Sequence, residues 1–192
     1  MPDSNERKLV EQAQSEPQTF AVLYDRYVAR IFKYVQRQVQ DEMVAQDVTA
    51  VTFEKALRHI RRYEVQGSSF SAWLYRIAHN ELMSYYRRQK FLSPLKWLGQ
   101  TEGRGTEKSV AQREEHNQLH QALAQLSAKD RDIIHLRYFE ELNSEEVADI
   151  LGCSTQNVYL RLHRALKRLQ QQLEEMEYQG NWRLESNLPN SQ

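Results

Sequence analysis

Residues 145–169 read EEVADILGCSTQNVYLRLHRALKRL, two amphipathic helical patterns hinged on one glycine. Asn143 precedes the first pattern with Glu146 three positions on, the arrangement of a capping box in which side chain and backbone satisfy each other's orphan groups. Ala148 is small where two helices cross closely. Gly152 can take the positive φ of a tight turn, and Ser154 then caps the second helix. Val147 and Leu151 meet Val158 and Leu162 in a miniature core, and Ala165, Leu166 and Leu169 continue the inward stripe. The stretch from 144 to about 169 is therefore read as a helix-turn-helix.

Its outward face is polar and basic. Thr155, Gln156, Tyr159, Leu160, His163 and Lys167 point away from the stripe, flanked by Arg161, Arg164 and Arg168. Amino-terminal residues of such a helix reach base edges in the major groove, where Gln156 can pair with adenine, while later cations neutralise phosphates. A plain αα-hairpin with a solvated basic face is the competing reading. Arg161 and Arg164 can equally pair with Glu145 or Glu146 across the turn.

Composition bounds the rest. The 192 residues carry 26 basic and 26 acidic side chains, so recognition of nucleic acid must rest on local patches rather than on net charge. Such patches exist: Arg58, Arg61 and Arg62, then Arg87, Arg88 and Lys90, then Arg161 to Arg168. Acids gather from Glu140 to Asp149 and from Glu174 to Glu177. The single cysteine, Cys153, excludes an internal disulfide and a multi-cysteine zinc site. Apolar runs are too short to cross a bilayer and the first residues are polar, so a cytoplasmic protein without membrane insertion is expected.

Helical periodicity runs through the remainder, and the fold class is all-α. A short helix near 6–14 precedes Pro17, which suits the first turn of a helix carrying Phe20, Leu23, Tyr24, Tyr27, Ile31 and Val35 as a core stripe. Asp41 starts a third helix through Ala45, Val48, Thr52, Ala56 and Ile60. Gly67, Ser68 and Ser69 break it, and a fourth begins after Ser71 with Leu74, Ile77, Ala78, Leu82 and Tyr85 on one side. Opposite lie Trp73, Arg76, Asn80, Ser84 and Arg87, an aromatic and cationic face suited to single-stranded nucleic acid, although a tryptophan is more often a core residue than a stacking platform. Pattern fails over 93–109, where Pro94 and three glycines mark a linker. Phe91, Leu92, Leu95, Trp97 and Leu98 there are apolar enough to fold back on the first domain or to bind a partner. Helices resume over 110–126, and Ser127 with Asp130 reads as a capping box for a helix holding Ile133, Ile134, Leu136 and Phe139. The expected layout is a domain over 1–92, a flexible linker over 93–109, a helix-turn-helix domain over 110–176 and a polar tail over 177–192.

In order along the chain, FAVLYDRYVARIFKYV (20–35), AQDVTAVTFEKAL (45–57), FSAWLYRIAHNELMSYYRRQK (70–90) and LSAKDRDIIHLRYFEELNSEEVADILGCSTQNVYLRLHRALKRL (126–169) resemble the extracytoplasmic-function group of bacterial sigma factors. The resemblance implies a dissociable subunit that directs core RNA polymerase to promoter DNA. It implies that Asp47, Val48, Thr49, Phe53 and Arg37 contact the polymerase clamp. Trp73, Arg76, Asn80, Arg87 and Arg88 would meet the single-stranded minus-ten element, with residues 66–70 helping to capture a flipped base. Thr155, Gln156, Tyr159, Leu160, Arg161, His163, Arg164 and Lys167 would meet the minus-thirty-five duplex. No bond is made or broken by such a subunit, so no catalytic residue, metal or cofactor is expected.

The chain departs from the family pattern at Ala50 and Val51, where polar or acidic residues are usual, and at Tyr159 and Leu160, where lysine and serine are usual. Leu160 can touch a thymine methyl or be covered by an anti-sigma factor, a partner that many family members have. Trp182 in the tail is a further candidate contact. Two other readings stand beside this one. A polymerase-independent regulator would use the first domain for an effector or for dimerisation. A metal protein would use His116 and His120, four apart on one helical face, but HNQLH lacks the glutamate of the metalloprotease motif and no third ligand is apparent. Cys153 is read as a small turn residue rather than a redox sensor.

Overall fold

The computed structural model describes residues 4–39, 41–64, 69–92 and 110–176. Eight α-helices account for nearly all of them: α1 (Ser4–Ser15), α2 (Phe20–Gln38), α3 (Glu42–His59), α4 (Phe70–Leu92), α5 (Val110–Gln125), α6 (Ala128–Ile134), α7 (Ser144–Leu151) and α8 (Thr155–Glu175). Among the described residues there is no strand. The sequence readings of a linker over 93–109, of a tail containing Trp182 and of the loop at 66–68 lie outside the described residues.

In the first domain α2, α3 and α4 enclose one core, because each carries an apolar stripe at helical spacing. Phe20, Leu23, Tyr27, Ile31 and Val35 of α2 are buried as the periodicity predicts. Tyr24 corrects the expected stripe: it is 42% exposed, lying at the core margin with its ring edge-on to Phe53 at 4.8 Å. Asp41 caps α3, accepting from the backbone N–H groups of Met43 and Val44. The helix tightens into a 3-10 turn at Ile60–Arg62. The Gln14 amide of α1 donates there to the carbonyls of Ile60 (3.0 Å), which also accepts from the Tyr63 N–H, and of Tyr63 (2.6 Å), tying α1 to the end of α3. Pro17 opens a 3-10 turn rather than α2 itself. The start of α4 also moves upstream of the expected Ser71, because the Ser69 hydroxyl accepts from the N–H of Ala72 and its carbonyl from that of Trp73.

The second domain wraps α5, α6 and α7 around α8. Ser127 caps α6 as expected by accepting from the N–H of Asp130. The other half of the expected box is absent, since the Asp130 carboxylate pairs with Arg168 of α8. Beyond Ile134 the helix widens into a π turn at His135–Phe139, a geometry that often marks functional positions. Glu141 then takes a left-handed conformation (φ 56°), which reverses the chain into the Asn143 cap. The capping box of Asn143 and Glu146 is complete. Gly152 ends α7 at φ 61°, with the N–H of Cys153 returning to the carbonyl of Ala148.

A methyl group at Gly152 would meet nothing within 4 Å, so its φ rather than space requires glycine. Gly152→Ala is expected to destabilise the second domain by about 1–2 kcal/mol, read as a lower denaturation midpoint with unchanged denaturant dependence.

Candidate nucleic-acid interface

Two surfaces on two domains carry the residues singled out by the sequence. On α8, capped by the Ser154 hydroxyl, Val158, Leu162, Ala165, Leu169 and Leu173 turn inward. Gln156, Tyr159, Leu160, His163, Arg164 and Lys167 are exposed, and Thr155 and Arg161 are half-buried. Tyr159 and Leu160 are 40% and 51% exposed, so the apolar departure from the family pattern lies on the surface. Among the described residues neither Arg161 nor Arg164 makes an ion pair with Glu145 or Glu146. Arg168 corrects the reading of a free flanking cation, because Asp130 holds its guanidinium within the domain. Cys153 is half-buried against the core of the turn. The side chain of His116 lies outside the described residues, and His120 is half-buried and already has an interaction partner.

On α4, Arg76, Asn80, Arg87 and Arg88 are exposed, and Arg87 donates to the Ser84 hydroxyl at 3.1 Å. Trp73 is half-buried. One side of its indole packs on Tyr63 (4.9 Å) and Phe70 (5.4 Å), while the residue also lines a cavity of about 350 Å³ with Arg62, Tyr63, Glu64, Ala72, Arg76 and Asp149. Burial pushes the Tyr63 hydroxyl up to about 12, with Glu6 adding to the shift, so the ring stays neutral beside the cavity.

The expected polymerase-binding set divides. Asp47 is exposed in the second turn of α3, on a face shared with Met43, Ala50 and Leu57. Val48, Thr49 and Phe53 are buried: Thr49 donates to the carbonyl of Ala45 at 2.7 Å, and Phe53 sits edge-on to Phe20 and Tyr24. Their apolar or small side chains belong to the helix packing face, so of these four α3 residues Asp47 alone is on the surface. Arg37 points elsewhere, into the junction between the domains.

Helical periodicity gives no sign of that junction. Asp132 of α6 and Glu140 at the end of the π turn are 3% and 5% exposed, each carried by the second domain and surrounded by donors from the first. Asp132 accepts from the Tyr34 hydroxyl (2.8 Å) and the Gln38 amide (3.0 Å), and its other oxygen lies 2.9 Å from His79 Nδ1. Glu140 accepts from Arg37 at 2.7 Å and from the Tyr75 hydroxyl, while the Arg37 guanidinium also stacks over Phe139 at 4.7 Å. Burial, reinforced by these carboxylates, raises both tyrosine pKa values well above the ordinary range, keeping Tyr34 and Tyr75 as proton donors. Further along, Ser69 donates to Glu146. The sequence holds one weak signal: Asp132 precedes Ile133 and Ile134 on a core helix, where an unpaired carboxylate would be costly.

Family comparison places this architecture. The description "Sigma-70 region 2" matches residues 23–91 and "Sigma-70, region 4" matches residues 116–169. RNA polymerase sigma factor YlaC of Bacillus subtilis is 34% identical over 148 residues, covering 74% of this chain and 85% of that protein. ECF RNA polymerase sigma factor BldN of Streptomyces coelicolor is 30% identical over 167 residues, which is 84% of this chain but 63% of that longer protein. The chain belongs to the extracytoplasmic-function sigma factors, regulators of transcription initiation with a DNA-binding helix-turn-helix in region 4. Solved structures share its fold. CnrH, solved with the cytosolic domain of CnrY, has a TM-score of 0.67 at 24% identity and covers 88% of this chain and 97% of its own. The sigma factor RpoE of Bartonella quintana, solved with the anti-sigma factor NepR, has 0.65 at 23%, covering 81% and 96%. Among the described residues no helix is long and apolar enough to cross a membrane.

His135, in the same π turn, is 3% exposed, and its pKa falls from 6.5 to about 3 through burial first and the nearby Arg37 second. The unfolded chain therefore binds a proton below about 6.5 that the folded chain refuses until about 3, and stability falls as pH drops across that window. His135→Phe is expected to flatten the decline between pH 6.5 and 5 in chemical denaturation; an unchanged slope contradicts the assignment.

Proposed function

We propose that the protein is a dissociable initiation subunit acting in the bacterial cytoplasm. Residues 1–92 hold core RNA polymerase and the single-stranded minus-ten element, and residues 110–176 hold the minus-thirty-five duplex. The observation that carries this reading is the pairing, in one chain, of two chemically different faces: the polar and basic face of α8 and the aromatic and cationic face of α4. An α-helix with Gln156 near its amino end and Arg164 and Lys167 further along suits a major groove. Trp73 with Arg76, Asn80, Arg87 and Arg88 suits an unstacked strand, where a base can stack and phosphates need neutralising. Extruding a base costs a few kcal/mol, and contacts with the opened strand, including residues 66–70, offset it. Asp47 and its exposed neighbours on α3 present the polymerase contact, supported from below by Val48, Thr49 and Phe53. No bond is made or broken in this role, so the protein is a non-enzyme that needs no metal or cofactor. An anti-sigma factor is the regulatory partner we propose, consistent with the partners present in the solved relatives and with exposed Leu160 on α8.

Run-off transcription with bacterial core polymerase on genomic fragments tests the reading. Start sites sharing two upstream motifs are expected, and no initiation above core alone contradicts it. On a mapped promoter, Gln156→Ala is expected to relax preference at one upstream base pair by about 1–3 kcal/mol. Arg164→Ala should weaken binding evenly across sequences and make it less salt-dependent. Equal loss on all sequences for both variants contradicts these roles.

A further inference from the structure

The junction between the domains is built unlike a permanent core. Its centre is two carboxylates from the second domain, received by Tyr34, Arg37 and Gln38 of α2 and Tyr75 and His79 of α4. Desolvating such charges offsets much of what their bonds contribute, so a buried polar contact adds little net stability where an apolar one would add more. Every group in it is also able to bond water once the domains part. This is the chemistry of an interface made to open, in keeping with the more polar character of interdomain contacts that permit motion.

What the contact covers is specific. Helix α7 packs along α4. Its Glu146 accepts from Ser69, immediately before α4, and its Asp149 lines the cavity that holds Trp73 and Arg76. The cavity beside Trp73 is lined by two cations, Arg62 and Arg76, and by Glu64 of region 2; docking adds the Asp149 carboxylate, whose charge repels the phosphates that the cations would otherwise hold. Arg37, which the family resemblance assigns to polymerase, is held by Glu140 and stacked on Phe139.

We infer that Asp132 and Glu140 form a latch that docks region 4 on region 2 in the unbound chain, setting the Asp149 carboxylate beside the strand-reading end of α4, and that polymerase opens it by taking Arg37 from Glu140. The inference rests on the sigma-factor reading for its polymerase step, but the docking of the two domains stands apart from it. Three groups therefore have two alternative uses: Arg37 binds Glu140 or polymerase, Trp73 and Arg76 face Asp149 or a strand, and region 4 rests on α4 or reaches upstream duplex.

The test uses the full chain with spin labels on the single native Cys153 and on an exposed α1 position, Lys8→Cys, and reads their separation by pulsed electron resonance. The unbound wild type is expected to give one short, narrow distance distribution. Two sets of variants break the latch from opposite sides while preserving shape: Asp132→Asn with Glu140→Gln, and Tyr34→Phe with Tyr75→Phe. Each is expected to broaden and lengthen the distribution with unchanged helical circular dichroism, and to bind core polymerase about tenfold more tightly than wild type. The second pair keeps the test alive if the first fails to fold. A wild-type distribution already broad, or folded variants with the wild-type distance, overturns the latch. Longer distances with unchanged polymerase affinity overturn the coupling to polymerase. If neither wild type nor variants bind core polymerase, the sigma reading and the polymerase step fall together, while the distance measurement still decides whether the domains dock.

Discussion

The placement of two carboxylates, Asp132 and Glu140, governs how the two halves of this molecule stand to each other. A buried charge needs a full set of partners, and here the partners belong to a different domain from the acids. The constraint reaches back into local structure. The π turn at His135–Phe139 adds a residue to each helical loop and so rotates the chain beyond it, and Glu140 directly after the turn projects toward Arg37 and Tyr75. The same turn brings Phe139 under the Arg37 guanidinium. It also leaves His135 buried and neutral.

In the proposed function the two domains answer different recognition problems by different physics. Region 4 displays one helix whose inward stripe is apolar and whose outward face mixes amide, imidazole and cations, groups proposed to bond base edges and neutralise phosphates. In region 2, Leu74, Ala78 and Leu82 of α4 hold the core, while its other side carries half-buried Trp73 and exposed Arg76, Arg87 and Arg88, the residues proposed to meet an unpaired strand. Trp73 stands at the boundary of these uses, supported by Tyr63 and Phe70 and open to the cavity.

Features set by neighbouring residues were legible in the sequence. The caps at Asp41, Asn143 and Ser154, the left-handed Gly152 and the inward stripe of α8 all depend on spacings of a few residues, and all are present. The outward face of α8 comes from the same periodicity. Features set by distant residues were not legible. Tyr34 and Tyr75 read as members of amphipathic helices, yet their hydroxyls end on carboxylates 98 and 65 positions away. Asp130 has the spacing of a capping residue, but Arg168 of α8 claims its carboxylate. Val48, Thr49 and Phe53 sit beside the exposed Asp47 in a motif, but helical geometry turns them to the other face. Periodicity gives the face of a helix, and only the assembled bundle says what that face meets.

Whether the chain reads promoters as a polymerase subunit is tested most directly by footprinting a mapped promoter with the protein alone, with core polymerase alone and with both. Protection of two separate patches, upstream duplex and minus-ten region, is expected only when both are present, together with permanganate-reactive thymines in the downstream patch. Protection that is independent of polymerase, or a single duplex patch without strand opening, would contradict this role.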